Sequence, residues 1–317
     1  MLDSYQRKIN YARFSITDLC NLRCLYCMPE EGVTKQNCGD ILRIEDFITI
    51  ARVLVAMDVD KIRLTGGEPL VRKGLLALVE ELGSWPELKD LSLTTNGLLL
   101  PRLGEDLKKA GLKRVNISLD TLDPEKYKYI TRFGDLAKVL DGIDTALSLF
   151  AKVKLNTVLI KGFNDNEIES FVDLTRRLPV DVRFIELMPF KGQSQFAFGT
   201  YLSGDEVLRR CPELKPLEAD DPSAPASLYA YEGALGRVGI IRPMSCKFCE
   251  HCNRIRISAD GRLLTCLHAC EEVNLRPYLQ DQEALRQIIT EAVAKKPQEH
   301  HLMEGQLQER DMGKIGG

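Results

Sequence analysis

Three cysteines lie close together near the start of the sequence. Cys20, Cys24 and Cys27 are spaced C-x3-C-x2-C, directly after a strand-like run at residues 13–17. A [4Fe–4S] cluster is usually held by four thiolates, so a loop that supplies three leaves one iron open to a small ligand. The alternative is a zinc site, which usually takes four ligands with C-x2–4-C spacing.

A second group of cysteines lies in the last quarter of the chain. Cys249, Cys252 and Cys266 are spaced C-x2-C-x13-C, and Asp260-Gly261 is a strong turn signal for a hairpin between them. On this spacing alone, a zinc ribbon with one ligand missing is slightly favoured. Candidates for the missing ligand are Cys246, His251 and Cys270.

The elements that would position these residues alternate between strand and helix. Helical spacing of apolar residues separates six strand patterns, at 13–17, 61–65, 91–95, 114–120, 153–160 and 182–187. This alternation predicts an α/β fold with a parallel sheet covered by helices. Six units instead of eight predict an incomplete (β/α)6 TIM-like barrel, open on one side.

Polar and glycine-rich motifs follow several of these strands. They are Gly66-Gly67-Glu68-Pro69, Thr94-Thr95-Asn96-Gly97 and Ser118-Leu119-Asp120. Active-site residues of α/β barrels lie at the C-terminal ends of the strands, so we expect these motifs to face the first cysteine group.

Composition excludes several classes of protein. The 317 residues include 43 Lys and Arg and 46 Asp and Glu, and the formal net charge of -3 argues against bulk nucleic-acid binding. The sequence shows no signal peptide and no apolar run of membrane-spanning length. In a chain this long, 10 cysteines that fall mostly into two groups predict metal binding and a reducing cytoplasm.

The first motif resembles that of the radical S-adenosylmethionine (SAM) superfamily, in which SAM occupies the open iron. Tyr26, the aromatic residue just before the third cysteine, also fits this pattern. Both cysteine motifs together resemble the GTP 3′,8-cyclase family of molybdenum cofactor biosynthesis. Two further matches support that resemblance, Asn253-Arg254-Ile255-Arg256 after the second C-x2-C and the chain end Ile315-Gly316-Gly317.

The family resemblance implies two [4Fe–4S] clusters and SAM as cofactors. One cluster would be held by Cys20, Cys24 and Cys27, and the other by Cys249, Cys252 and Cys266, which leaves Cys246 and Cys270 as an ambiguity at the second site. The implied SAM contacts are Tyr26, Gly67, Ser118 and Met188. The residues implied to bind GTP are Arg13, Arg63, Thr94, Lys154, Arg254, Ile255 and Arg256.

The resemblance also implies a reaction and its partners. The SAM-derived radical takes the ribose C3′ hydrogen of GTP, and the C3′ radical attacks guanine C8 while Arg254, Arg256, Gly316 and Gly317 act at the site. The family further implies a homodimer, a flavodoxin- or ferredoxin-type electron donor and a separate cyclic pyranopterin monophosphate synthase downstream. We expect no nucleic-acid or membrane partner.

Two regions are predicted from local composition. Residues 1–230 are predicted to form the partial barrel and residues 231–317 a C-terminal region with the second cluster and the Gly-Gly tail. The stretch 214–227 reads as an exposed loop, and residues 190–194 differ from the glycine-rich, Trp-containing form expected of the family.

The alternative functions are a radical SAM peptide-modifying maturase with an auxiliary cluster and a non-enzymatic zinc-ribbon protein.

Overall fold

The computed structural model describes residues 1–32, 38–190, 199–219, 221–269, 271–300 and 312–316. The six predicted strands are all present, and every strand end lies within two residues of its predicted position. They are β1 (Tyr11–Ser15), β2 (Lys61–Thr65), β3 (Asp90–Thr95), β4 (Arg114–Ser118), β5 (Val153–Leu159) and β6 (Val180–Glu186).

Helices join these strands in the predicted order. The helices are α1 (Ile44–Ala56), α2 (Leu75–Gly83), α3 (Leu100–Lys109), α4 (Pro124–Thr131), α5 (Leu136–Leu149) and α6 (Ile168–Arg177). Their apolar faces pack on the sheet: Phe47 and Leu54 of α1 are fully buried, as is Phe171 of α6. The amphipathic spacing that predicted these helices thus corresponds to burial against the strands.

The C-terminal part of the chain adds further elements to the same sheet. The strands are β7 (Lys215–Leu217), β8 (Ala226–Ala230), β9 (Val238–Ile241), β10 (Arg254–Ile257), β11 (Arg262–Leu264) and β12 (Val273–Asn274). The helices are α7 (Asp205–Arg210), α8 (Gln282–Ala294) and the short tail helix α9 (Met312–Ile315).

The sheet formed by the described residues has twelve strands in the order β12-β11-β10-β1-β2-β3-β4-β5-β6-β9-β8-β7. Strands β1 to β6 are parallel neighbours, which confirms the partial-barrel prediction. The C-terminal strands extend this sheet at both sides, because β10 pairs in parallel with β1 and β9 pairs in parallel with β6. Consequently Arg254 and Arg256 lie beside β1, although β1 is far from these residues in the sequence.

The predicted exposed loop at 214–227 is wrong in part. It contains β7 and the start of β8, which pair as an antiparallel hairpin at the edge of the sheet. All three residues of β7 are exposed, so the loop-like composition reflects an edge strand with little apolar burial. No helix in the described ranges is both long and apolar enough to cross a membrane.

Candidate active site

A cavity of about 340 Å³ lies at the C-terminal ends of the central strands. Cys20, Cys24 and Cys27 line it, and so do Cys249, Cys252 and Cys266. The two cysteine groups, more than two hundred residues apart in sequence, therefore face one shared space. We call them the first triad and the second triad.

The first triad lies on a loop that α4 holds in place. Backbone hydrogen bonds join Arg23 N to Thr131 O at 3.1 Å and Leu25 N to Ile130 O at 2.9 Å. Within the loop, Cys27 N donates to Cys24 O at 2.9 Å. The loop is thus fixed by the end of a helix instead of by its own secondary structure.

Burial disfavours charge on these thiols when no metal is near. It raises the pKa of Cys20 to about 11 and, together with the nearby Cys27 and Asp120, raises the pKa of Cys24 well above its ordinary value. Iron ligation requires thiolates, and the positive irons of a cluster would supply the compensating charge. Three buried thiols around one end of a cavity fit a cluster with one open iron.

Within the described residues, no three His, Cys, Asp or Glu side chains converge on a point where a single metal ion would bind. A [4Fe–4S] cube spaces its thiolates apart because each one ligates a different iron. The arrangement of both triads around a wide cavity therefore suits a cluster.

Gly67 lies directly against the cysteine loop. A Cβ at this position would overlap the carbonyl oxygens of Leu19 and Asp18, so only glycine fits. The following Glu68 carboxylate accepts hydrogen bonds from Thr95 Oγ1 and Asn96 N, both at 2.7 Å. This buried carboxylate, whose pKa burial raises to about 7, joins the glycine motif to the end of β3.

The other residues expected to contact SAM line the same cavity. They are Tyr26, Ser118 and Met188. Asp120 of the Ser118-Leu119-Asp120 motif lines it as well and accepts a hydrogen bond from Tyr26. Burial raises the pKa of Asp120 to about 6.

The second triad is carried by a 3-10 turn and by the end of β11. Cys249 begins the turn Cys249–His251, and Cys252 precedes β10. Burial acts to raise the pKa of the Cys252 thiol, but the cations Lys296 and Arg254 lower it below its ordinary value. Burial raises that of Cys249. The surroundings of Cys252 therefore favour its ionisation, whereas those of Cys249 oppose it.

The alternative ligands of the second site are placed differently. Cys246 and His251 are exposed to solvent, whereas the three members of the second triad are partly buried. Cys270 lies outside the described residues. The geometry therefore favours the triad over Cys246 as the cavity-facing set.

Basic side chains form a layer across the strands below the triads. Arg13 of β1 is in register with Arg63 of β2 on one side and with Arg256 of β10 on the other. Arg13, Arg254, Arg256 and Thr94 line the cavity. We refer to Arg13, Arg63, Lys154, Arg254 and Arg256 as the cationic layer.

Two members of this layer are buried and only weakly paired. Arg63 is 6% exposed, with Nε 3.4 Å from Ser92 Oγ and its guanidinium over the Tyr11 ring. Lys154 lies 3.5 Å from Asp181. Burial, followed by the charge of Arg183, lowers the pKa of Lys154 to about 7, and burial with neighbouring arginines lowers that of Arg63 to about 9.

Crowded, desolvated cations of this kind favour an anionic ligand. Arg183 of β6 belongs to the same group, and burial lowers its pKa to about 10, with Arg114 contributing. The sequence analysis missed Arg183, although its position on a predicted strand, alternating with buried apolar residues, was a usable signal.

Ile255 lies between the two arginines of β10 but on the opposite face. Its side chain is fully buried in the hydrophobic core. A contact between this residue and a ligand in the cavity would therefore come from the backbone.

The tail helix α9 brings the chain end to the cavity. Met312 lines the cavity, and Ile315 packs with Phe190 and Leu264. Arg256 Nη1 donates a hydrogen bond to Gly316 O, so the tail and the cationic layer are in direct contact. Gly317 and the loop residues 191–198 lie outside the described ranges.

Comparison with known proteins identifies relatives over the whole chain. A model of the radical SAM superfamily matches residues 14–175, and a model described as Molybdenum Cofactor Synthesis C matches residues 180–302. A GTP 3′,8-cyclase from Peptoclostridium acidaminophilum is 52% identical over 319 residues, which cover 100% of this chain and 98% of that protein. A GTP 3′,8-cyclase from Alkaliphilus oremlandii is 47% identical, with 100% of both chains covered.

Among solved structures, the fold is similar to that of Streptococcus suis SuiB bound to S-adenosylmethionine. The TM-score is 0.66 with 15% sequence identity, over 97% of this chain and 77% of SuiB. At this identity the similarity shows a shared fold.

Proposed function

Since this chain belongs to the GTP 3′,8-cyclase family of the radical SAM superfamily, we propose that it converts GTP to (8S)-3′,8-cyclo-7,8-dihydroguanosine 5′-triphosphate. This reaction is the first step of molybdenum cofactor biosynthesis. The observation that carries the proposal is the single cavity lined by both triads and by arginines of the cationic layer. Such a cavity can hold a radical source and a polyanionic nucleotide side by side.

Cys20, Cys24 and Cys27 would hold the first [4Fe–4S] cluster. With SAM bound, such a cluster would supply the electron for reductive cleavage of SAM, which is the radical chemistry needed for hydrogen abstraction from the substrate. The protein's task there is binding and orientation. Gly67 allows close backbone approach, and Tyr26, Ser118 and Met188 line the same cavity.

Cys249, Cys252 and Cys266 would hold a second [4Fe–4S] cluster, at which the guanine base binds. The supporting observation is that all three of these residues line the same cavity as the first triad. A base held there and a radical formed at the other triad would meet in the space between them. Orientation of the two reacting groups is a large part of catalysis in such an enzyme.

The cationic layer would bind the triphosphate. Arginine guanidinium groups pair with phosphate oxygens through bidentate hydrogen bonds, and Arg13, Arg254 and Arg256 expose these groups to the cavity. Thr94 adds a hydroxyl whose oxygen has no hydrogen-bond partner among the described residues. Arg63 and Lys154 would contribute positive charge from their positions on β2 and β5.

The C-terminal tail would help to close the site. Arg256 donates a hydrogen bond to Gly316 O, which supports a role for Gly316, and for the Gly317 that follows it in the sequence, beside the arginines. The product would pass to a separate cyclic pyranopterin monophosphate synthase. We further propose a flavodoxin- or ferredoxin-type electron donor and a homodimer.

The test is an anaerobic assay of the reconstituted enzyme with SAM, dithionite and GTP. Chromatography would detect 5′-deoxyadenosine and the cyclised nucleotide together. Cys24→Ala should abolish both products, and the double variant Arg254→Ala/Arg256→Ala should abolish the cyclised nucleotide. Arg209→Ala, at a side chain that is 72% exposed, is the matched control and should leave both unchanged.

Other outcomes would overturn parts of the proposal. 5′-Deoxyadenosine without a GTP-derived product would retain the radical SAM assignment but favour a different substrate, such as a peptide. Zinc in place of iron, with no SAM cleavage, would contradict the radical mechanism. A Cys246→Ala variant that loses iron would add Cys246 to the second site.

A further inference from the structure

His268 is a cavity residue that has no role in the function described above. It follows Cys266 by two positions, on the turn that comes after β11, and it is 6% exposed. Its side chain lines the cavity alongside the second triad and Met312.

Both ring nitrogens of His268 are buried without a hydrogen-bond partner in the described part of the chain. A neutral imidazole has one N–H donor and one nitrogen acceptor. Buried polar groups in native proteins are nearly always satisfied by protein, water or ligand, and leaving them unsatisfied is costly. The two nitrogens therefore indicate a group that binds in the cavity.

Neighbouring rings fix the position of the imidazole. Its centroid lies 5.0 Å from that of Phe190, and 6.1 Å from that of His300. His300 Nε2 is within 3.0 Å of Pro243 O, so that histidine is tied to the backbone. Of the two histidines, His268 is the one for which neither ring nitrogen has a hydrogen-bond partner among the described residues.

We propose that His268 binds the purine base of the nucleotide by a hydrogen bond from or to a ring nitrogen. This inference rests on the proposed function, which places the base at the second triad. A purine presents nitrogen and oxygen acceptors and N–H donors along its edges, which match an imidazole.

The other parts of the ligands are matched elsewhere in the cavity. The triphosphate has Arg13, Arg254 and Arg256, and SAM has Gly67 and the first triad. The base is the part of the nucleotide that has no partner among these residues, and the proposed function places it next to the second triad. His268 would therefore be a residue that determines affinity for the base.

The variants for a test follow from this geometry. His268→Phe keeps an aromatic ring against Phe190 and removes both nitrogens, while His268→Gln restores a donor and an acceptor. His251→Phe is the control, because it removes an exposed histidine near the same triad. Equilibrium dialysis of the anaerobically reconstituted enzyme, without reductant, would give dissociation constants for GTP and for inorganic triphosphate.

We expect His268→Phe to weaken GTP binding by about threefold to tenfold, the effect of one hydrogen bond. Triphosphate binding and iron content should not change. The KM for GTP should rise in proportion while kcat changes little, and His268→Gln should recover part of the affinity. His251→Phe should bind GTP as the unmodified enzyme does.

Three results would overturn the inference. The first is GTP affinity unchanged in His268→Phe, and the second is an equal loss for GTP and triphosphate, which would indicate general damage to the cavity. The third is loss of iron from the second site, which would make His268 a ligand. If the unmodified enzyme binds GTP but forms no cyclised product, the proposed function fails while the binding role of His268 is still measurable.

Discussion

The Tyr26 phenol donates a 2.6 Å hydrogen bond to Asp120 Oδ2. The other carboxylate oxygen of Asp120 accepts from Val158 N at 2.9 Å. One buried carboxylate thereby links the loop of the first triad to the ends of β4 and β5. Since Tyr26 lies between Cys24 and Cys27, this link fixes the part of the loop between these two cysteines.

Tyr26→Phe should retain iron but form 5′-deoxyadenosine more slowly. The variant leaves the Asp120 carboxylate buried with only the Val158 bond, and a lost hydrogen bond to a charged group costs about 2 kcal/mol. If at least half of this cost destabilises the loop position that supports SAM cleavage, the rate of 5′-deoxyadenosine formation falls by about fivefold or more. The measurements are iron content and the initial rate of 5′-deoxyadenosine formation.

Tyr129→Phe is the matched control for the loss of a phenol hydroxyl. Tyr129 lies on α4 and is 66% exposed, so we expect an unchanged rate. A Tyr26→Phe enzyme that cleaves SAM at the normal rate would show that the hydrogen bond has no part in positioning the loop.

Lys154 gives the site a dependence on pH in the neutral range. Burial, with the nearby Arg183, lowers the pKa of this amine to about 7, so the free enzyme loses this positive charge as the pH rises through 7. GTP binds best to the protonated form. We therefore expect kcat/KM for GTP, which reports on the free enzyme, to fall by about tenfold between pH 7 and pH 9.

Lys154→Arg separates this group from other titrating residues. Arginine stays protonated over the whole range, so the decline above pH 7 should disappear. If the variant shows the same decline, another group controls it. Lys154→Met should have a low kcat/KM for GTP at every pH, and its pH profile should show no inflection near pH 7.

Arg132 joins α4 to the loop of the first triad. Its backbone has φ +63°, an unfavourable value for a residue with a side chain. Arg132 Nη1 donates to Arg23 O at 2.7 Å and to Met28 O at 3.3 Å. The guanidinium thus satisfies two carbonyl groups of the loop while the backbone holds a strained turn.

Arg132→Ala should make the first triad release iron faster. The two hydrogen bonds from a charged donor are worth about 2 kcal/mol together, equivalent to a change of about thirtyfold in the opening of the loop. The rate of iron loss to a chelator under anaerobic conditions is the measurement. Lys128→Ala, an exposed cation on the same helix, should lose iron at the original rate, and equal rates for both variants would refute the role of Arg132.

The sequence predicted the central sheet and most of the cavity lining because both depend on local patterns. Strand and helix alternate with clear periodicity, and the motifs at strand ends must meet once the strands are parallel. The placement of Gly67 next to the first triad followed from this rule. The cysteine spacing was likewise a local signal.

Other features depend on contacts between distant parts of the chain. The pairing of β10 with β1, which puts Arg256 beside Arg13, is not encoded in either segment alone. His268 has an ordinary local sequence environment, and only its burial distinguishes it. The motif at the end of β4 placed Asp120 near the site, but its hydrogen bond with Tyr26 joins residues that are 94 positions apart. The edge strand β7 was missed because it buries little apolar surface, so its composition is that of a loop.

Gly316 tests the role of the tail. It has φ +75°, and a Cβ at this position would overlap Thr65 Oγ1 and approach Ser15 Cβ at 3.2 Å. Gly316→Ala should therefore displace the tail from Arg256 without unfolding the sheet, because the residue lies outside the strands. We expect cyclised product to fall by about tenfold or more, since a backbone strain of about 1–2 kcal/mol adds to the steric overlap.

The rate of 5′-deoxyadenosine formation and the thermal midpoint should change little in Gly316→Ala, because the first triad is not part of this contact. Gly39→Ala is the control, since a Cβ there meets no atom within 4 Å. A parallel loss of 5′-deoxyadenosine and cyclised product would indicate that the tail supports the whole cavity. Normal cyclisation by Gly316→Ala would exclude a role for this residue beside the substrate.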